Sequence, residues 1–107
     1  MLNQVILVGR LVTKPEIIEN EEKKVCIITL AVPRSYKNVD GEYETDFIDC
    51  KLWAGIAETA AEYCKKGDLV GIRGKIETTI NEDKKTTIII AEKVTFLSSK
   101  KPEESEK

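Results

Sequence analysis

Apolar and polar residues alternate with a period of two over most of the chain, and this pattern predicts β-strands. It is clearest in Val25–Val32 and Thr45–Trp53. Asp68–Ile80 and Thr86–Leu97 repeat it, and Leu2–Leu11 forms the first strand. The residues predicted to face the core are Cys26, Ile28, Leu30 and Val32, then Ile48, Cys50 and Leu52, then Val70, Ile72 and Ile76.

One segment, Ala54–Lys66, places its apolar residues three and four positions apart, which predicts an amphipathic helix. Lys65 and Lys66 suit the C-terminal dipole of that helix and Gly67 suits its cap. Three strands, one helix and two strands form the order of an all-β OB-fold barrel of five strands, with the helix between strands three and four. Another antiparallel sandwich also fits this order.

The outward face of the Thr45–Trp53 strand carries large aromatic residues where a half-buried strand should be polar. Phe47 and Trp53 lie there with Lys51 between them, and Asp49 shares the face. Flat rings and a cation suit the stacking of bases and the binding of phosphates in single-stranded nucleic acid. Alternatively, the two rings pack in a core or against another subunit.

The connection Arg34–Glu44 contains Asp40-Gly41, which predicts a hairpin turn in an extended, mobile loop. Near its base, Tyr36 is flanked by Arg34 and Lys37. These three residues are a second candidate contact for nucleic acid, or they belong to a solvated loop with an incidental tyrosine.

Length and composition limit the possible classes of protein. The 107 residues suffice for one domain, expected over residues 1–97, and residues 98–107 have no apolar side chain and are expected to form a disordered charged tail. With 17 basic and 19 acidic residues the net charge is −2, so nucleic acid would need a local basic patch.

The three cysteines lack CxxC spacing, and the chain has no histidine, so we expect reduced thiols and no metal or other cofactor. No secretory signal or membrane span is visible, and we expect a soluble cytoplasmic protein.

The run Val5–Val8 is apolar on both faces, although a strand of a small barrel needs only one face for the core. The second face needs a partner. We expect a second copy of the same chain, and a loop folded over the strand is the alternative.

Several separate segments occur in the order found in one known family. They are Met1–Leu11, Pro15-Glu16, Ile28–Val32, Asp46–Trp53, Ala57-Glu58, Glu62-Tyr63, Lys65–Gly67 and Gly74. Together they resemble the bacterial single-stranded DNA-binding protein family. The resemblance implies an OB-fold homotetramer that coats single-stranded DNA in replication, recombination and repair, is associated with the nucleoid, and catalyses no reaction. It also implies DNA contacts at Tyr36, Phe47, Trp53, Lys66 and Arg10.

The chain departs from this family in three places. The turn between strands four and five is shorter and carries Glu77, Thr79 and Asn81 instead of aromatic and basic residues. Asp49 should repel phosphate. Lys100–Lys107 has no acidic tip with a terminal Pro-Phe pair, which argues against recruitment of repair and replication enzymes through the tail and favours an accessory, phage or mobile-element version.

The sequence therefore predicts a protein that binds single-stranded DNA by stacking and by charge. The predicted DNA-binding residues are Trp53, Phe47, Tyr36, Lys51, Arg34, Lys37, Arg10, Arg73, Lys75 and Lys66. The alternative is an OB-fold assembly module of the primosomal type that acts through protein contacts, which Asp49, Glu77 and the net negative charge favour. An enzyme is disfavoured, because there is no histidine and no Gly-rich phosphate loop.

Overall fold

A computed structural model describes residues 1–20 and 23–98. The elements in these ranges are strands β1 (Val5–Leu11), β2 (Ile18–Asn20), β3 (Lys23–Lys37) and β4 (Tyr43–Trp53), helix α1 (Ala54–Tyr63), and strands β5 (Leu69–Asn81) and β6 (Lys84–Ser98). No helix in these ranges has the length and apolar character needed to cross a membrane.

Five of the strands form a closed barrel. They are hydrogen-bonded in the order β1-β5-β6-β4-β3, and pairing of β1 with β3 closes the ring. The β4–β6 pair is parallel and the other pairs are antiparallel. The predicted five-stranded OB barrel is therefore confirmed. The predicted position of the helix is corrected to between β4 and β5. The chain has one more strand before the helix than predicted, because Ile18–Asn20 form the short strand β2 on the edge of β3.

The core is built from the predicted inward faces and from one face of α1. Its fully buried side chains include Cys26, Leu30, Leu52, Val70 and Ile72. Small residues of α1, Ala57 and Ala60, let the helix pack closely against the barrel. The period-two prediction is confirmed where the strands line the core, because the residues predicted to point inward are buried there.

The prediction of Ile76 as a core residue is wrong, since its side chain is 42% exposed. A β-bulge between Arg73 and Gly74 brings β5 so near to β6 that a Cβ atom on Gly74 would overlap the Ile90 carbonyl. Ile76 is still paired with the buried Ile89, but beyond this pair β5 and β6 continue as a two-stranded arm whose side chains are mostly exposed.

Helix α1 ends three residues earlier than predicted. Cys64 already has an extended backbone, with φ −106° and ψ 149°. The Asp68 carboxylate then accepts a hydrogen bond from the Lys65 N–H at 2.8 Å, which stabilises a turn in place of a last helical turn. Lys66 and Gly67 consequently lie outside the helix, and the N–H of Gly67 donates to the carbonyl of Leu11 at 2.8 Å.

The predicted Asp40-Gly41 turn is confirmed, with Gly41 at φ +80°. The surrounding connection is shorter than predicted, because β3 continues past Pro33 with an irregular register to Lys37, which pairs with Tyr43. We call residues 34–46 the β3–β4 arm. At the C-terminal end, β6 includes Ser98, one residue of the predicted tail, and residues 99–107 lie outside the described residues.

Candidate nucleic-acid interface

The two aromatic rings on β4 lie on the surface of the chain. Phe47 is 66% exposed and Trp53 is 39% exposed. Their partners across the β3–β4 ladder are Ala31 and Val25, which are shorter than the rings and do not cover them. Neither ring belongs to the core of this chain, so both are available to a ligand or to another subunit.

Lys51 holds its charge directly against the Trp53 ring. The Lys51 Nζ lies 4.5 Å from the ring centroid, within the range of a cation–π interaction. Lys51 is also paired with Ile27 of β3 and with Ile90 of β6, so it lies in the middle of the sheet. A base that stacks on this face of Trp53 would therefore displace the Lys51 ammonium, which stays close enough to meet a phosphate.

Asp49 interrupts this surface with a negative charge. Its Oδ1 accepts a hydrogen bond from the Thr29 hydroxyl at 2.7 Å on the neighbouring strand. The hydrogen bond orients the carboxylate without neutralising it. The expected repulsion of phosphate between Phe47 and Lys51 remains a prediction.

Arg34 faces carboxylates rather than open solvent. Its guanidinium donates two hydrogen bonds to Asp46, at 2.9 and 3.0 Å, and lies 3.2 Å from a Glu44 oxygen. The hydrogen bonds to Asp46 raise the pKa of Arg34, and the same contacts lower the pKa of the Asp46 carboxyl. Tyr36, 62% exposed, lies close enough to Arg34 to affect its pKa. The charge predicted for phosphate binding at Arg34 is thus already balanced within the arm.

One predicted cation, Arg10, lies in a row with Phe47. Arg10 of β1 is paired with Ala31, and Ala31 is paired with Phe47, so these three side chains form one row across the sheet. The Arg10 guanidinium donates to the Gly67 carbonyl at 3.0 Å, next to the exposed Lys66. The folded chain therefore places Arg10 in one row with Phe47 and in contact with the residue that follows Lys66.

The two predicted cations of β5 differ in position. Lys75 is paired with Ile90, which is in turn paired with Lys51, so Lys75 lies in a row with Lys51. Its Nζ is 3.5 Å from the Glu77 carboxylate. Arg73 lies across the bulge, between Ile6 of β1 and Lys93 of β6, and is not brought next to the rings.

Sequence reasoning missed one exposed ring on the β3–β4 arm. Tyr43 is 60% exposed, and the Nζ of Lys37 lies 5.7 Å from its ring centroid. The signal was present in the sequence, because Tyr43 precedes Phe47 by four residues and continues the same period of two. The Asp40-Gly41 turn signal obscures it, because it predicts a loop over residues 34–44.

None of the three cysteines lies on the candidate DNA-binding surface. Cys26, Cys50 and Cys64 are all buried and unpaired. Burial raises the pKa of each, in the case of Cys50 to about 12.

Comparison with known proteins agrees with this architecture. Residues 2–97 match the model of the Single-strand binding protein family. The chain is 41% identical to single-stranded DNA-binding protein B of Bacillus subtilis, with 98% of each chain covered. It is 44% identical to single-stranded DNA-binding protein 3 of Listeria innocua, covering 94% of this chain and 66% of that protein.

Among solved structures, the chain resembles a protein described as the Plasmodium falciparum SSB complex with ssDNA. The TM-score is 0.78 at 25% identity, over 92% of this chain and 96% of that one. With a family model that matches nearly all the described residues and relatives similar over most of its length, the chain belongs to the single-strand binding protein family.

Proposed function

We propose that the protein binds and protects single-stranded DNA, without strong sequence preference, during replication, recombination and repair. The observation that carries the proposal is the pair of exposed rings, Phe47 and Trp53, on one face of a strand in an OB barrel, with Lys51 against the second ring. Every base has a flat face, so stacking tolerates all sequences. The names of the relatives and the DNA complex of the structural neighbour support the same ligand.

In the proposed mechanism, unpaired bases stack on the two β4 rings while their phosphates approach the cations around them. Lys51 lies between the two rings with Lys75 in the same row, while Arg10 lies in a row with Phe47 and contacts the residue after Lys66. On the arm, Lys37 adds a cation, and Tyr36, which is 62% exposed and two residues from Arg34, adds a further ring. Duplex DNA keeps its base faces stacked inside the helix and cannot use the rings. The protein acts by binding alone, and its place of action would be the nucleoid, where single-stranded DNA arises.

We further propose that the protein is a homotetramer, or at least a dimer. On the outward face of β1, Ile6 is 70% exposed and Val8 is 49% exposed, whereas Val5 and Leu7 pack against the core. An isologous contact between copies would remove both exposed side chains from water.

A side-by-side titration tests the proposal. Labelled oligo-dT and a duplex of equal length are added to the protein at low salt, and binding is followed by fluorescence anisotropy. We expect tight binding of the single strand and weak binding of the duplex. Equal affinity for both would contradict the stacking mechanism, and binding of neither would favour the assembly module that acts through protein contacts.

A further inference from the structure

Building on the proposed DNA binding, we propose that Tyr43 and Lys37 form a further base-stacking position, which continues the β4 surface onto the β3–β4 arm. Strand β4 runs without a break from Tyr43 to Trp53, so residues two apart point to the same side. Tyr43, Phe47 and Trp53 therefore share the outward face of one strand.

The three rings lie along this face at intervals of four and six residues. With a rise of about 3.3 Å per residue, Tyr43 lies about 13 Å from Phe47, which lies about 20 Å from Trp53. The Tyr43 side chain is 60% exposed, close to the 66% of Phe47. A strand of DNA that follows β4 from Trp53 past Phe47 would next reach Tyr43.

The chemistry at Tyr43 repeats that at Trp53. Lys37 is paired with Tyr43 across the arm, and its Nζ lies 5.7 Å from the ring centroid. At the other end of β4, the Lys51 Nζ lies 4.5 Å from the Trp53 centroid. In both places a lysine Nζ lies over an exposed ring, so a base that stacks on that face displaces the ammonium to a place where a phosphate can meet it.

The opposite side of the arm fixes its shape. Asn38 accepts hydrogen bonds from the N–H groups of Asp40 and Glu42, at 2.9 and 3.0 Å, and donates one to Glu44 at 3.1 Å. Glu44 in turn contacts Arg34. The hydrogen bonds of Asn38 to the turn hold the hairpin before any ligand arrives, independently of Arg34, and this lowers the entropic cost of binding at its surface.

The ion pairs of Arg34 lie on one side of the arm only. Glu44 and Asp46 alternate with Tyr43 and therefore point to the other side of β4, where both engage Arg34. Tyr36 lies near this Arg34 cluster. The arm ring that continues the surface of Phe47 is thus Tyr43, beside Lys37 rather than beside the carboxylates.

The test compares four variants of the full chain for affinity to oligo-dT and for melting temperature. Tyr43→Ala removes the ring, Tyr43→Leu keeps an apolar side chain to pack on the Lys37 stem, and Tyr43→Phe keeps the flat ring. Tyr63→Ala is the matched control, because Tyr63 is 65% exposed but lies on α1. We expect Tyr43→Ala and Tyr43→Leu to lose at least about fivefold in affinity, the lower end for one base–aromatic stack. We expect Tyr43→Phe and Tyr63→Ala to bind like the wild type.

The outcomes separate this inference from the proposed function. If Tyr43→Ala and Tyr43→Leu bind like the wild type while Trp53→Ala is weakened, Tyr43 does not stack and the proposed function stands. If the wild type fails to bind oligo-dT, the proposed function itself is wrong. Should Tyr43→Ala melt early, the comparison of the Leu and Phe variants decides, and equal affinity of these two would overturn the stacking role.

Discussion

Arg34 is held away from DNA by two carboxylates of its own arm, and removing their charges should strengthen binding. We consider the double variant Glu44→Gln/Asp46→Asn. In the wild type the guanidinium makes hydrogen bonds of 2.9 and 3.0 Å to Asp46 and lies 3.2 Å from Glu44. All three side chains are at least 38% exposed, so the charge becomes available to a phosphate without unfolding of the arm.

The expected size of the effect follows from counterion release. One additional phosphate contact should make the slope of log K against log salt more negative by about 0.7 on a single strand. Between about 50 and 200 mM salt, the double variant should therefore lose about 2.6-fold more affinity than the wild type loses. At the lowest salt it should bind more tightly than the wild type. The change in melting temperature should be small, because exposed ion pairs contribute little to stability.

The measurement is an oligo-dT titration at four or more salt concentrations. The matched control is Glu62→Gln/Glu92→Gln, which removes the same two charges at exposed positions that form no ion pair with any described residue. The control accounts for the change in net charge. A slope in the arm variant equal to that of the control would refute the reasoning, since it would mean that a released Arg34 does not reach phosphate.

Three further predictions concern stability, the thiols and assembly. Gly74→Ala should lower the free energy of unfolding by about 1–3 kcal/mol in denaturant titrations because its Cβ would overlap β6, whereas Gly55→Ala, with nothing within 4 Å, should not destabilise the protein. At pH 8 a thiol reagent should label none of the cysteines in the native protein, since all are buried and burial raises the pKa of Cys50 to about 12. The reagent should label all three in denaturant, and fast labelling of the native protein would contradict the prediction. Ile6→Ser/Val8→Ser should dissociate the oligomer in light scattering, and a wild-type mass near 12.0 kDa would exclude the oligomer altogether.

The sequence predicts the barrel well where the two faces of a strand differ in chemistry. In Thr45–Trp53 the inward residues are apolar, and the outward ones include two charges and two rings, so a shift of register by one residue would bury Asp49 and Lys51. Periodicity does not reveal where the barrel ends. Ile76 keeps the correct phase, but it lies past the bulge at Gly74 and at the end of the core, where its partner Ile89 is buried and Ile76 itself is 42% exposed.

Hydrogen bonds and ion pairs that periodicity does not reveal account for the other differences. Cys64 leaves the helical conformation where Asp68 provides a competing hydrogen bond to the Lys65 N–H. The partners Arg34 and Asp46 are 12 residues apart, and only the folded arm brings them together. The sequence supplies both charges without showing that they face each other.

The most direct test of the central claim uses Trp53, the only tryptophan in the chain. If a base stacks on this ring, oligo-dT should quench its fluorescence. The quenching should saturate at the same ratio of oligo-dT to protein as the binding measured by anisotropy. Trp53→Ala should then lose about 1–3 kcal/mol of binding free energy while its melting temperature stays near that of the wild type. If Trp53 instead packs against another subunit, Trp53→Ala should lose about 3–5 kcal/mol of stability or dissociate the oligomer. That loss, together with wild-type fluorescence that does not respond to oligo-dT, would contradict the account of β4 as a DNA-binding surface.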